Sequence, residues 1–99
     1  MVKVYHNEEF LDAGRKGVTI KPEDCTHVAD VDTDDLNVAY QLTNNIEDSW
    51  CDNKGVTISE VVRQLGGARS TSMGDVMFHD GKWYMVASIG FTLMADFSI

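Results

Sequence analysis

The sequence predicts an α+β domain, a mainly antiparallel sheet whose C-terminal β-hairpin packs on two short helices. Three observations carry this expectation. Two apolar strand-like runs, 75–79 and 82–89, flank Asp80-Gly81, the dipeptide favoured at the tip of a two-residue type I′ hairpin. Two segments place apolar residues at i, i+3, i+4 and i+7 between capping residues, the signature of short amphipathic helices. The chain has 99 residues and no Pro-, Gly- or Ser-rich linker, so residues 1–99 make a single small domain with one core.

Val2-Lys3-Val4-Tyr5-His6 alternates and reads as a first strand. Glu8 to Ala13 can form a turn or two of helix, which Gly14 and Gly17 would stop. Val18-Thr19-Ile20 is extended ahead of Pro22. Thr26 to Asp32 reads as a strand with Ala29 and Val31 on one face and Val28 on the other. A helix over 34–44 follows, because Thr and Asp side chains accept from the free amides of a first turn and acids suit its positive end. Its apolar stripe is Leu36, Ala39, Tyr40 and Thr43. Residues 46–54 read as a loop with Trp50 anchored in it.

Thr57-x-x-Glu60 matches a capping box, with Ser59 a competing cap, and starts a helix over 58–65 with the stripe Ile58, Val61, Val62, Leu65. Gly66-Gly67 ends it. Counting outward from Asp80-Gly81 pairs Phe78 with Trp83, Met77 with Tyr84 and Val76 with Met85. Val76, Phe78, Trp83 and Met85 then share one face, expected to be the core. Met77, Tyr84 and Val86 make the other face apolar too, so something should cover it. Gly90 breaks the run, and 91–97 resumes as a further strand.

The formal charge is −8, from sixteen acids and eight bases. It lies entirely in residues 1–53, with twelve acids and four bases, while residues 54–99 hold four of each. From Pro22 to Asn53 there are nine acids and no Lys or Arg, a surface that repels phosphate and disfavours direct nucleic-acid binding. It suits a basic protein partner. No apolar run approaches the roughly 20 residues that span a bilayer, so no membrane association is expected. The first residues lack the apolar stretch of a secretory signal, which points to the cytoplasm. Cys25 and Cys51 are too few for a disulfide framework, and no ligand spacing for a metal appears around His6, His27 or His79. Neither a metal nor a cofactor is expected.

Two groups of residues are candidate sites. The first is the acidic stretch Asp32, Asp34, Asp35, Glu47 and Asp48, with Trp50 as a partner anchor, since aromatic side chains often supply interface hot spots. The plainer reading is a well-capped helix and a buried tryptophan. A calcium loop fails, because positions six and twelve counted from Asp30 are Asp35 and Gln41. The second group is Arg69-Ser-Thr-Ser-Met-Gly-Asp75, where Arg69, Ser70, Ser72 and Asp75 could line a polar pocket for an anionic group. No histidine lies near in sequence to activate a serine, so catalytic residues are not assigned. The plainer reading has the hydroxyls bonding local backbone while Arg69 pairs with Asp75 or with the acidic half.

Tyr40-x-x-Thr43-Asn44, Trp50, Arg69-Ser-Thr-Ser-x-Gly-Asp-Val76 and Gly90-Phe91 together resemble a pattern in small proteins encoded by bacteriophages and plasmids, over about residues 26–93. The resemblance implies a mobile-element protein at work in bacterial cytoplasm and transfers no catalytic residue. The expected function is therefore a non-enzymatic accessory protein that modulates a basic host protein through its acidic surface. That partner could be a nucleic-acid-binding enzyme, with the carboxylates mimicking DNA phosphates. The alternative is a small-ligand binder or minor enzyme using the Arg69–Asp75 pocket.

Overall fold

A computed structural model of the chain describes residues 1–13, 19–46 and 48–99. The strands are β1 (Val2–Asn7), β2 (Cys25–Val31), β3 (Val56–Ile58), β4 (Val76–His79), β5 (Lys82–Val86) and β6 (Phe91–Leu93). They form one sheet in the order β3-β2-β1-β4-β5-β6, and every neighbouring pair is antiparallel. The helices are α1 (Phe10–Ala13), α2 (Leu36–Leu42) and α3 (Glu60–Leu65), with single 3-10 turns at Pro22–Asp24 and Trp50–Asp52. The α+β class with a mainly antiparallel sheet is as the sequence predicts.

The hairpin register is also as predicted, with Phe78 opposite Trp83, Met77 opposite Tyr84 and Val76 opposite Met85. Asp80 and Gly81 both take positive φ, 51° and 76°, as a type I′ turn requires. The assignment of the core face is corrected. Met77 and Val86 point into the main cluster with Val2, Val4, Val31, Ala39, Trp50 and Val62, and α2 and α3 cover that face. Val76 belongs to a smaller cluster on the opposite face, where Tyr5, Trp83, Met85, Met94 and Phe97 pack around Ala13 and Ile20. Among the described residues, ten buried side chains make the first cluster and three the second, so the helix-covered face carries most of the burial free energy. Both faces of the hairpin are apolar because both are covered.

A bulge alters the expected alternation in β2. Val4 pairs with Ala29 but Tyr5 pairs with His27, so Val28 is the extra residue. It turns into the main cluster beside Ala29, where strict alternation would have sent it to the other face. The bulge also sets the His27 ring 5.2 Å from the Tyr5 ring on the opposite side.

α2 is shorter than the expected 34–44. Asp35 is its N-cap, with the side chain accepting from the Asn37 amide at 2.8 Å. In α3 the cap is Ser59, whose hydroxyl accepts from the Val62 amide at 3.4 Å, and Thr57 lies instead in β3, which the sequence reading missed. The expected α3 stripe is corrected too. Val62 is fully buried, but Val61 and Leu65 are exposed at 47% and 76%. A helix of six residues offers a single turn and a half to the core, room for one fully buried side chain. β6 ends at Leu93 rather than 97, and the following residues fold across the second cluster. The proposed helix stop at Gly14 and Gly17, and Val18, lie outside the described residues.

Candidate functional site

Asp75, just before β4, is fully buried, and a buried carboxylate is tolerable only when its oxygens are paired. Here every acceptor position is filled. Oδ1 accepts from the Asn7 amide at 2.8 Å and from Arg69 Nη2 at 2.8 Å. Oδ2 accepts from Arg69 Nη1 at 2.7 Å and from the Ser72 amide at 2.8 Å. The fork of Arg69 thus meets the carboxylate with two parallel hydrogen bonds, the strongest geometry available to the pair. Its remaining Nη protons go to the Asn7 carbonyl at 3.2 Å and the Ser70 carbonyl at 3.0 Å. The Phe10 ring covers the guanidinium, with 3.7 Å from Cζ to the ring centroid.

The hydroxyls and backbone of the same segment hold the rest of the chain. Thr71 donates its amide to the Thr43 carbonyl at 2.9 Å, and Ser70 Oγ accepts from the Asn45 amide at 2.8 Å. The Arg69 carbonyl accepts from Trp50 Nε1 at 2.8 Å. Gly74 has φ +94°, and a Cβ there would sit 2.3 Å from the Phe10 carbonyl oxygen, so the close approach of this loop to α1 requires glycine. Its carbonyl accepts from Asn7 Nδ2 at 3.1 Å. Residues 69–75 are a clasp between β1, α1, the end of α2 and the hairpin. Thr43, Trp50 and the run Arg69 to Val76, which carry the resemblance, meet in and around it.

His6 stands beside the clasp, with Nε2 3.0 Å from Thr71 Oγ1 and 4.0 Å from Asp75 Oδ2. Burial pushes its pKa down to about 4. The nearby Asp75 carboxylate works against this and Arg69 reinforces it, so the ring is neutral at pH 7. A groove of about 390 Å³ opens next to the clasp, lined among others by His6, Phe10, Val61, Leu65 and Arg69. Ser70, Ser72 and Asp75 do not line it.

Of the predicted pocket residues Arg69, Ser70, Ser72 and Asp75, the structure joins Arg69 and the Ser72 amide to the Asp75 carboxylate; the sequence reading did not foresee His6, Asn7, Phe10 and Thr71 beside them. One signal was present: His6 continues the Val2, Val4 stripe, and a polar ring on an apolar strand face needs a buried partner. No cue linked Asn7 to a carboxylate 68 positions away.

The acidic group has the opposite setting. Asp32, Asp34, Asp35 and Asp48 are all exposed. Asp34 accepts from the N-terminal amine at 3.0 Å, an exposed ion pair that lowers its pKa, and Asp35 caps α2. Among the described residues, no Lys or Arg pairs with any of the four. Glu47 lies outside the described residues. Trp50 is corrected as a partner anchor: it is fully buried in the main cluster, and its ring N–H is consumed by the clasp.

Among the described residues, no three His, Cys, Asp or Glu side chains are placed to hold a metal ion. Burial, with Asp75, Asp24 and Glu23 adding to it, raises the Cys25 thiol to about 11, which makes it a poor nucleophile. Cys25 packs on the second cluster and Cys51 on the first, and both are free thiols. Among the described residues, no helix is long and apolar enough to cross a membrane. Comparison with protein-family models, with curated proteins and with solved structures finds no match to this chain.

Proposed function

We propose that this protein is a non-enzymatic interaction domain that docks a basic protein through the acidic surface around Asp32, Asp34, Asp35 and Asp48. The observation that carries the reading is that these four carboxylates stand in solvent and, among the described residues, none forms an ion pair with a Lys or Arg. Their field is free to act on an approaching partner. Val38, Tyr40 and Ile46, exposed in the same stretch of chain, supply apolar contact area once charge has steered the encounter. In this reading, which follows the resemblance to phage and plasmid proteins, the partner is a protein of bacterial cytoplasm. DNA mimicry is the form this takes if the carboxylates occupy a phosphate-binding groove.

The test is capture from bacterial lysate on immobilised wild type and on a variant with Asp32, Asp34, Asp35 and Asp48 changed to Asn. A basic protein held by wild type at low salt, released near 0.5 M and not held by the variant, supports the reading. With the purified partner, the variant should associate roughly tenfold more slowly at low salt. Release of the partner by added duplex DNA identifies mimicry. Equal capture by both proteins overturns the proposal. A ligand site in the groove beside Arg69 is the second reading, favoured by that cavity alone, and capture abolished by Val61→Asp but indifferent to salt would select it.

A further inference from the structure

The sheet has two free edges, and they are guarded differently. At β3, the outward-facing amide of Val56 is already used by the Asn53 carbonyl at 3.2 Å, Lys54 precedes the strand, and Glu60 follows it. At β6, among the described residues, no such device is present. Residues 83–95 contain no charged residue and no proline, and Leu93 and Ile89 are exposed at 55% and 93%. Natural sheets usually protect an edge with charge, proline, a bulge or a cover.

The bonding pattern shows what this edge offers. Met94 donates to the Trp83 carbonyl at 2.9 Å and Ala87 to the Gly90 carbonyl at 3.0 Å. Alternation in an antiparallel pair then makes Met85 and Thr92 the hydrogen-bonded pair between them. Phe91 and Leu93 direct their N–H and C=O groups away from β5. Among the described residues, nothing bonds to them.

We propose that the β6 edge is a self-association site, where a second copy adds its own β6 antiparallel about a twofold axis at Thr92. Phe91 of each copy then exchanges N–H···O bonds with Leu93 of the other, so all four outward groups on each copy are paired by the same residues of its mate. The exposed Leu93 side chain comes to lie against Phe91 of the second copy, on the face that carries Tyr84 and Val86. Charge selects a second copy and this edge. The neutral half meets the neutral half, while β1 and β2, in the half that carries the charge of −8, lie three and four places away in the strand order. Contact through the β3 edge would bring the acidic stretch around β2, to which β3 is paired, closer to its copy. The short strand makes the association weak and concentration-dependent.

The experiment is sedimentation from about 0.01 to 1 mM, in reductant, at low salt and near 0.5 M. Dimer should grow with concentration and strengthen with salt, because salt screens the repulsion of two like-charged molecules. That is the reverse of the response expected for a basic partner, so the two proposals fail separately. Leu93→Lys should weaken the dimer at least tenfold, while Thr57→Lys on the other edge leaves it unchanged. Wild-type amide exchange gives a second readout that needs no variant: Phe91 and Leu93 slow as concentration rises, while Thr92 and Met94 do not. A monomer throughout, a dimer indifferent to Leu93→Lys, or exchange at Phe91 and Leu93 independent of concentration overturns the proposal.

Discussion

In the 69–75 clasp a single carboxylate is fully buried and accepts four hydrogen bonds, whereas four exposed carboxylates between Asp32 and Asp48 accept one bond from the terminal amine and make one cap. Both stretches are polar, and both look like sites in sequence. Their difference teaches how burial sorts polar residues. A charge taken out of water must be matched bond for bond, and the matching uses up the groups a ligand would need. A charge left in water needs no partner and stays available at a distance. The buried set holds the fold together; the exposed set is free to meet another molecule.

The sharpest way to break this comparison is to remove the buried carboxylate. Asp75→Ala leaves the Arg69 fork and the Asn7 and Ser72 amides without their acceptor, and should destabilise the protein by about 3–5 kcal/mol in urea unfolding. A cost below about 1 kcal/mol would mean the clasp is not an anchor.

Acid attacks the same region through His6. The native ring holds its proton only below about pH 4, whereas in the unfolded chain it does so below about 6.5. Between these values the unfolded chain binds the extra proton. Stability from this group is complete above pH 6.5 and falls by about 3 kcal/mol as the pH drops to 4. Unfolding of wild type and His6→Gln at pH 7.5 and 4.5 isolates the effect: the wild type should lose more stability, and equal losses would refute it.

The smallest effect belongs to the exposed set. Asp35→Ala removes the α2 cap and should cost about 1 kcal/mol, while Asp35→Asn, which still accepts from the Asn37 amide, costs a few tenths. Equal thermal midpoints for the two variants would remove Asp35 from the cap.

Local features were legible in sequence wherever local chemistry decides. The Asp80-Gly81 turn set the hairpin register, and the capping residues announced α2 and α3 to within two residues. β3 was missed because Val56-Thr57-Ile58 merges with the capping pattern that follows it. The β2 bulge was missed because one extra residue changes no composition and simply reverses which side Val28 takes. Half of the clasp was legible in the Arg69 to Asp75 spacing. The other half, Asn7 and His6, comes from strand β1 and has no signature there.

By itself, then, the sequence determined the class of the domain, the turn, the helix starts and the separation of charge between its halves. Each depends on residues close in the chain or on simple counting. Only the tertiary structure decided which hairpin face holds the main core, that Trp50 is internal, and that the edge at β6 is the unguarded one. The physical reason is common to all three. An apolar side chain, or a free backbone amide, is satisfied by whatever lies beside it, and the neighbour is set by strands brought together across dozens of residues.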